Sequence, residues 1–344
     1  MTTVHIVLPG GIDDSAAPSG GNRYDRELCD GLARTRDVHE IAIPAPWPRP
    51  PASARDALAG ALKRLPDGAT VLLDGLVAAA VPEVLEPAAN RLRLIVLVHL
   101  PLADETGLPA DEAARLAGLE HRTLRAAAEV ITTSTAAACR LTDRYGVPPH
   151  RLHVAPPGVA PAALATHSTT GSRLLCVAAV IPRKGQDVLL DALATLDDLP
   201  WSCVCVGTLD RAPGFPAARH ERVRFVGPRT GQALDAAYAD ADLLVLPSRA
   251  ETYGMVVTEA LARGIPVLAT NVGGVPEALG AVPGGTRPGV LVPPADPAAL
   301  AAELRRWLTD ARWREQLRAS ARSRRDHLPG WDDTVRRVSA VLDR

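Results

Sequence analysis

The sequence predicts an α/β fold made of two doubly wound units, in each of which a parallel sheet is covered by helices on both faces. Short apolar runs alternate with alanine-rich stretches along both halves of the chain, a pattern typical of strands and helices in turn. The runs are almost entirely apolar, as in strands buried on both faces. A length of 344 residues also suffices for about two domains.

The first half predicts six strands with helices between them. The strands are expected at residues 4–8, 38–43, 70–73, 92–98, 130–133 and 152–155. The helices are expected at about 22–33, 53–65, 111–128 and 135–145. Together these elements indicate a first Rossmann-like domain over residues 1–160.

The second half repeats the alternation. Its strands are expected at residues 174–180, 203–206, 223–226, 243–246, 267–269 and 290–292. A linker separates the halves, because the Pro-Pro-Gly of residues 156–158 and the polar stretch 166–172 suit neither helix nor strand. The second Rossmann-like domain is therefore expected over residues 161–328. A final helix, 329–344, is expected to return to the first domain.

The composition of the chain argues against several classes of protein. A net charge of -1 and 3% aromatic residues argue against a nucleic-acid partner, which usually requires a basic patch and stacking aromatics. The arginine-rich end from Ala298 onward is interpreted as helices with an exposed basic face; membrane contact is the alternative. The chain enters its first strand without a signal-like segment, and its five cysteines have no metal-ligand spacing. We therefore expect a cytoplasmic protein with buried thiols.

The segment 246–277 has the highest density of candidate site residues in the sequence. A strand candidate ends at Leu246, Glu251 follows in the loop, and Glu259 lies about one turn inside the next helix. The first amides of that helix lack carbonyl partners and suit an anion. These amides belong to Gly254, Met255 and Val256. Carboxylates suit pairs of hydroxyls, so the whole string favours a sugar attached to a phosphate, although either glutamate alone would be an ordinary surface acid.

This string resembles the retaining glycosyltransferases of family 4, also called glycosyl transferases group 1, which have the GT-B fold of two Rossmann-like domains facing across a cleft. The resemblance rests on Glu251 and Glu259, which are separated by seven intervening residues, and on the turn 273–277. It implies that Glu251 contacts donor-sugar hydroxyls near the reacting carbon and that Glu259 holds the ribose. It also implies that the three amides hold the donor sugar or its phosphates.

Lys184 is one of two lysines in a chain with thirty-six arginines. It lies where a strand candidate ends and a helix opens at Gly185, and a cation there would neutralise a diphosphate leaving group. The resemblance implies that Lys184 belongs to a phosphate-binding pair, yet Ala179 stands where the family usually has arginine. We hypothesise that Arg183 reaches over the same phosphates, the alternative being an exposed Arg183. Lys63, on an ordinary helix, is interpreted as solvated.

Two further candidates lie in the first half. Gly20 and Gly21 precede a helix, but their spacing differs from the dinucleotide-binding GxGxxG pattern, and such pairs are usually turns. The resemblance implies that this pair lies near the donor phosphates and the acceptor. His99 follows an apolar run and is either a core histidine or, as the resemblance implies, a residue near the reacting sugar.

The resemblance implies metal-independent transfer with retention of the anomeric configuration and no cofactor besides the nucleotide-sugar co-substrate. The predicted catalytic residues are His99, Lys184 and Glu251. The predicted donor-binding residues are Gly20, Gly21, Arg183, Gly254, Met255, Val256 and Glu259. A UDP-sugar is the first donor expected and a GDP-sugar the second, with a small-molecule or metabolite acceptor bound by the first domain. The alternatives are a regulatory protein that binds nucleotide sugars without catalysis, and a GT-B sugar-nucleotide epimerase.

Overall fold

The computed structural model describes residues 3–14, 18–209, 215, 220–282 and 284–344. The chain forms two compact units. Unit 1 contains the first strand, Ser19–Gly158 and Trp331–Arg344, whereas Val159–Gly330 belongs to unit 2. Among the described residues, no helix is both long enough and apolar enough to cross a membrane.

Unit 1 is built on a six-stranded parallel sheet. Its strands are β1 (Thr3–Pro9), β2 (Asp37–Ile43), β3 (Thr70–Asp74), β4 (Arg93–Val98), β5 (Glu129–Thr132) and β6 (Leu152–Val154). They lie in the order β2-β1-β3-β4-β5-β6, so the order reverses between β1 and β3. Because every pairing is parallel, all six carboxyl ends meet at one edge of the sheet.

The helices of unit 1 cover both faces of this sheet. They are α1 (Gly20–Ala33), α2 (Ala52–Lys63), α3 (Gly75–Ala78), α4 (Pro82–Ala88), α5 (Ala110–Ala126), α6 (Thr135–Tyr145) and, from the end of the chain, α13 (Trp331–Leu342). The apolar face of α13 shares a core with Tyr24 and Leu28 of α1. Arg36 Nη2 also pairs with Asp343 Oδ2 at 2.6 Å. The last helix is thus packed in unit 1.

Unit 2 contains a second six-stranded parallel sheet. Its strands are β7 (Arg173–Val177), β8 (Ser202–Val206), β9 (Val223–Phe225), β10 (Leu243–Leu246), β11 (Val267–Thr270) and β12 (Gly289–Val292). The order is β12-β11-β10-β7-β8-β9, so it reverses between β7 and β10. Its helices are α7 (Gln186–Leu193), α8 (Gly231–Ala239), α9 (Met255–Ala262), α10 (Val275–Leu279), α11 (Pro297–Thr309) and α12 (Ala311–Arg325).

The predicted α/β fold with two doubly wound sheets is confirmed, and each predicted strand overlaps one of these twelve. The largest difference in a strand boundary is in β7, which was expected to reach residue 180 and ends at Val177. A turn of 3₁₀ helix, Pro182–Lys184, follows soon after. The prediction of five buried thiols is wrong for Cys139, which is exposed on α6, while the other four cysteines are buried.

In open parallel sheets, ligands bind beyond the carboxyl ends of the strands at the point where the strand order reverses. In unit 1 the strand order reverses between β1 and β3, so the segments that follow these two strands begin at this point. The loop that follows the neighbouring strand β4 lies next to them. In unit 2 the corresponding segments follow β7 and β10. The predicted site residues lie in these segments.

Candidate active site

In unit 2, two predicted cations and a serine converge on the carboxylate of Glu251. Lys184 Nζ donates to Oε1 of Glu251 at 2.6 Å. Ser248 Oγ donates to the same oxygen at 2.7 Å. Arg183 Nη1 lies 4.0 Å from the other oxygen, Oε2. The structure therefore brings Arg183, Lys184 and Glu251 together, although Glu251 follows β10 and the two cations follow β7.

The electrostatics of this cluster keep Glu251 ionised. Its side chain is 7% exposed, against 13% for Arg183 and 19% for Lys184. Burial acts to raise the pKa of Glu251, but the charge and hydrogen bond of Lys184, with help from Ser248 and Arg183, hold that pKa below its usual value. An ammonium group has three donor hydrogens, so Lys184 keeps donors for a ligand.

Two glycines allow the loops to approach this closely. Gly273 has φ +47°, and a Cβ there would lie 1.7 Å from the carbonyl oxygen of Glu251. Gly185 has φ +68°, and a Cβ there would lie 2.1 Å from the carbonyl oxygen of Pro247. Both positions need the left-handed backbone and the missing side chain that glycine provides. The turn at residues 273–277 therefore supports the backbone of Glu251 directly.

The sequence analysis did not predict the ion pair between Arg249 and Asp187, which helps to join the loop of Glu251 to the turn of Lys184. The backbone amide of Arg249 donates to the carbonyl of Arg183 at 2.7 Å. The Arg249 guanidinium donates to the Pro182 carbonyl at 2.7 Å. It also binds both carboxylate oxygens of Asp187, at 2.8 and 2.6 Å. These contacts hold the Lys184 turn against the Glu251 loop, and in the sequence the only signal was an arginine two positions before Glu251.

Helix α9 begins beside the cluster. Gly254 is its N-cap with φ +90°, and Met255 and Val256 are half-buried. The first amides of a helix have no intrahelical acceptor and carry the positive end of its dipole. Glu259 is buried inside the same helix, where its Oε2 accepts from the Tyr238 hydroxyl at 2.7 Å. Tyr238, on α8, was not a predicted site residue.

In unit 1, the structure brings Gly21 and His99 together. A Cβ on Gly21 would lie 3.3 Å from Cδ2 of His99, so the imidazole packs directly against this glycine. Gly20 is the first residue of the same helix, α1. Nε2 of His99 lies 2.8 Å from Oδ1 of Asp25 and 3.6 Å from Oδ2 of Asp74. His99 is therefore part of a polar cluster at the sheet edge, and both aspartates were missed by sequence reasoning.

Burial dominates the electrostatics of this second cluster. It raises the pKa of Asp25 to about 7. Burial and the neighbouring charge of Asp25 raise the pKa of Asp74 well above its usual range. Burial also lowers the pKa of His99, against the opposing charge of Asp74. Potential ligand atoms of the three residues lie within 4.8 Å of one another, a spacing that suits a metal ion and that no other His, Cys, Asp and Glu group has in the described part of the chain.

Comparison with known families and proteins agrees with this architecture. A family model described as Glycosyltransferase Family 4 matches residues 4–163. Another, described as Glycosyl transferases group 1, matches residues 171–310. The D-inositol 3-phosphate glycosyltransferase of Jonesia denitrificans is 32% identical over 262 residues, which are 67% of this chain and 60% of that protein. The protein of the same name from Salinispora tropica is 34% identical over 259 residues, 65% of this chain and 52% of that protein.

The chain thus spans between about half and three-fifths of the length of these curated relatives. Among solved structures, sucrose-phosphate synthase from Thermosynechococcus elongatus matches with a TM-score of 0.78 at 20% identity, covering 100% of this chain and 98% of that one. Anabaena HepE in complex with UDP-glucose matches with a TM-score of 0.77 at 17% identity, covering 100% of each chain. At such identities the likeness concerns the fold, and the predicted GT-B fold is confirmed.

Proposed function

The chain belongs to the glycosyltransferases of family 4 and group 1, and we propose that it transfers a sugar from a nucleotide-sugar donor to a hydroxyl of a small-molecule acceptor, with retention of the anomeric configuration. One observation carries this proposal. Lys184 and Arg183 converge on the buried carboxylate of Glu251. They do so next to the start of α9 and where the strand order of the sheet reverses. Cations, free amides and a carboxylate together suit a sugar diphosphate.

Within this proposal, unit 2 binds the donor. Lys184, Arg183 and the amides of Gly254, Met255 and Val256 meet the diphosphate. Glu251 accepts hydrogen bonds from sugar hydroxyls near the reacting carbon, and Glu259 accepts from the ribose. Arg183 compensates for the arginine that Ala179 replaces, since its guanidinium already lies beside the same carboxylate as Lys184. Two side-chain cations and helix amides would supply the charge that the leaving group requires, so the proposed reaction needs no metal ion.

Gly20, Gly21 and His99 of unit 1 contact the bound substrates in this proposal. The bond between the anomeric carbon and the donor phosphate oxygen breaks, and a bond from the acceptor oxygen forms on the same face of the sugar. The acceptor's proton passes to the departing phosphate oxygen, so that a nucleoside diphosphate and a glycoside result. Lys184, already preorganised by Glu251, stabilises the charge that develops on the phosphate.

The donor is proposed to be a UDP-sugar, with a GDP-sugar as the second choice. The acceptor is proposed to be a small hydroxylated molecule. D-inositol 3-phosphate, the compound in the name of the relatives, is the first acceptor to test.

The test is an assay of nucleoside diphosphate release by the purified chain. UDP-glucose, UDP-N-acetylglucosamine and GDP-mannose are each supplied with D-inositol 3-phosphate, with and without EDTA. We expect release that depends on the acceptor and persists in EDTA, and a product whose anomeric configuration, determined by NMR, matches the donor's. Saturable donor binding without turnover would instead identify a regulatory protein, and an epimerised donor would identify an epimerase.

The variant Glu251→Gln tests whether the activity measured in this assay arises at the proposed site. The variant keeps the size of the side chain but loses the charge that holds Lys184. We expect a loss of at least about tenfold in kcat/KM, equivalent to about 1.4 kcal/mol of transition-state stabilisation. Glu221→Gln, at an exposed glutamate of the same unit, is the matched control. Equal activities of the two variants would remove Glu251 from the proposed site.

A further inference from the structure

A buried tyrosine holds the glutamate that is proposed to bind the ribose. Glu259, on α9, is 8% exposed, and Tyr238, on α8, is 0% exposed. The Tyr238 hydroxyl donates to Oε2 of Glu259 at 2.7 Å. Because an ionised carboxylate offers about four acceptor positions, this bond fixes the orientation of the carboxylate while using only part of its capacity.

Arg263, which follows α9, supports both partners of this bond. Its guanidinium carbon lies 4.5 Å from the centroid of the Tyr238 ring, within the range of a cation–π contact. Its Nη1 donates to the backbone carbonyl of Glu259 at 2.9 Å, and its Nη2 forms an ion pair with Asp235 of α8. Arg263 therefore connects the backbone of Glu259 to the ring whose hydroxyl holds the Glu259 side chain.

The direction of the helices explains why the hydroxyl reaches the site. Helix α8 follows β9 and runs from Gly231 to Ala239, so it begins near the carboxyl edge of the sheet and ends away from it. Side chains of a helix lean towards its amino terminus. Tyr238, close to the end of α8, therefore extends towards the carboxyl edge and meets Glu259 from the interior of unit 2.

We propose that Tyr238 and Arg263 are positioning residues that hold the Glu259 carboxylate for the ribose hydroxyls, and that the fixed carboxylate makes unit 2 select a ribonucleotide over one that lacks the 2′ and 3′ hydroxyls. The inference rests on the proposed function, in which Glu259 accepts from the ribose. A site built to hydrogen-bond a hydroxyl rejects an analogue that lacks it, because its buried polar group is then left without that partner. Such rejection requires a carboxylate that cannot turn away, and the Tyr238 hydroxyl supplies this constraint.

The test is isothermal titration calorimetry of the full chain with UDP and GDP, each compared with its 2′,3′-dideoxy form. The wild type should bind the ribonucleotide at least about tenfold more tightly than the dideoxy form. Tyr238→Phe removes only the hydroxyl, and its preference should fall below about threefold, through weaker binding of the ribonucleotide. Arg263→Lys keeps the charge but loses the planar fork, and it should reduce the preference at least about twofold.

The matched control is Tyr145→Phe in unit 1. Tyr145 is also buried, and its hydroxyl also donates to a buried glutamate, Glu120. The two variants lose the same kind of bond, so their losses of stability should be similar. Only Tyr238→Phe should lose the preference for the ribonucleotide, which a merely structural role of Tyr238 would leave unchanged.

A second measurement needs no nucleotide. In NMR of the tyrosine-¹³C-labelled chain, with Tyr238 assigned by Tyr238→Phe, we expect a hydroxyl proton that exchanges slowly with solvent. Glu259→Ala removes the acceptor of this proton, so exchange should become faster. An unchanged exchange rate would show that Tyr238 does not hold Glu259.

Three results of the calorimetry would also overturn the proposal. They are a wild-type preference retained in Tyr238→Phe, an equal loss of preference in Tyr145→Phe, and equal binding of the two nucleotide forms by the wild type. An unchanged preference in Arg263→Lys would remove Arg263 from the proposal.

Failure of the inference and failure of the proposed function give different results. Equal binding of the ribonucleotide and dideoxy forms would refute the ribose selection and leave the donor site in place. A chain that binds neither UDP nor GDP would refute the proposed donor site itself, and the NMR measurement would still decide whether Tyr238 holds Glu259.

Discussion

The two sites occupy the same position in their sheets but manage buried charge in opposite ways. In unit 2, Glu251 is kept ionised by Lys184 and Arg183. In unit 1, Asp25 and Asp74 have no such cation in the described part of the chain, and burial keeps them protonated to higher pH. The shared topology therefore places polar groups at the sheet edge without deciding their charge, which depends on the neighbours that each site supplies.

This difference predicts opposite responses to pH. The lowered pKa of Glu251 contributes stability that is present above the unfolded value, about 4.3, and is lost as pH falls through the folded value. The raised pKa values of Asp25 and Asp74 act the other way. Between the unfolded value, about 3.9, and about 7, the folded state keeps a proton that the unfolded state releases, so stability falls as pH rises.

The largest effect on stability is therefore expected for the variant Asp74→Asn. Its amide cannot take up the proton that a carboxyl group with a raised pKa keeps in the folded state. Its free energy of unfolding relative to the wild type should rise from pH 5 to 7, by up to about 1.4 kcal/mol per pH unit. Urea unfolding at pH 5, 6 and 7 measures this slope. Glu251→Gln is the matched control from unit 2, and its difference from the wild type should stay nearly constant over that range. A constant difference for Asp74→Asn as well would contradict the contrast between the sites.

The next largest effect is expected from Gly273→Ala, which tests how unit 2 holds its carboxylate. The new Cβ would overlap the Glu251 carbonyl oxygen, and φ is +47°. The overlap and the backbone strain should lower the free energy of unfolding by about 2 kcal/mol, and displacement of Glu251 should reduce turnover.

The matched control is Gly118→Ala on α5, where a Cβ would meet nothing within 4 Å. Alanine is favoured over glycine in a helix by about 0.5–1 kcal/mol, so this variant should be slightly stabilised and fully active. Thermal unfolding and activity assays of both variants measure the contrast. Unchanged activity in Gly273→Ala would show that the turn at 273–277 does not support the site.

The smallest effect is expected for the variant Arg183→Ala, which tests whether unit 2 binds a diphosphate with one side-chain cation or with two. If Arg183 replaces the arginine that Ala179 lacks, its removal should weaken binding of UDP or GDP by about tenfold, or about 1.4 kcal/mol. Isothermal titration calorimetry measures this change. Lys63→Ala, an exposed cation of unit 1, is the control and should bind normally. Equal affinities of the two variants would leave Lys184 as the only side-chain cation of the diphosphate site.

The sequence predicted much of the unit 2 site because its residues stand next to strand ends. Lys184 and Glu251 each follow an apolar run, and a glycine close by in each segment, Gly185 or Gly254, indicated where a helix begins. The contact between them joins loops 67 positions apart, yet the parallel sheet makes such loops neighbours. The sequence did not show whether the Arg183 side chain points towards the site or into solvent, because a side chain in a turn is oriented by its packing.

The acidic pair of unit 1 was not predictable in the same way. Asp25 lies within a helix whose sequence neighbours include Arg23, Arg26 and Glu27, so it resembles an ordinary solvated acid. Its partner His99 is 74 positions away. Only the packing of α1 against the sheet shows that this side chain points inward and that the arginine next to it points elsewhere.

By itself, the sequence determined the alternation of strands and helices, the two sheets and the family, because apolar periodicity and the spacing of Glu251 and Glu259 are local properties of the chain. The tertiary structure decided which carboxyl groups are paired with cations and which have a pKa raised by burial. Protonation depends on burial and on neighbours from distant positions. For Asp25, Asp74 and Glu251, those neighbours are set by the fold.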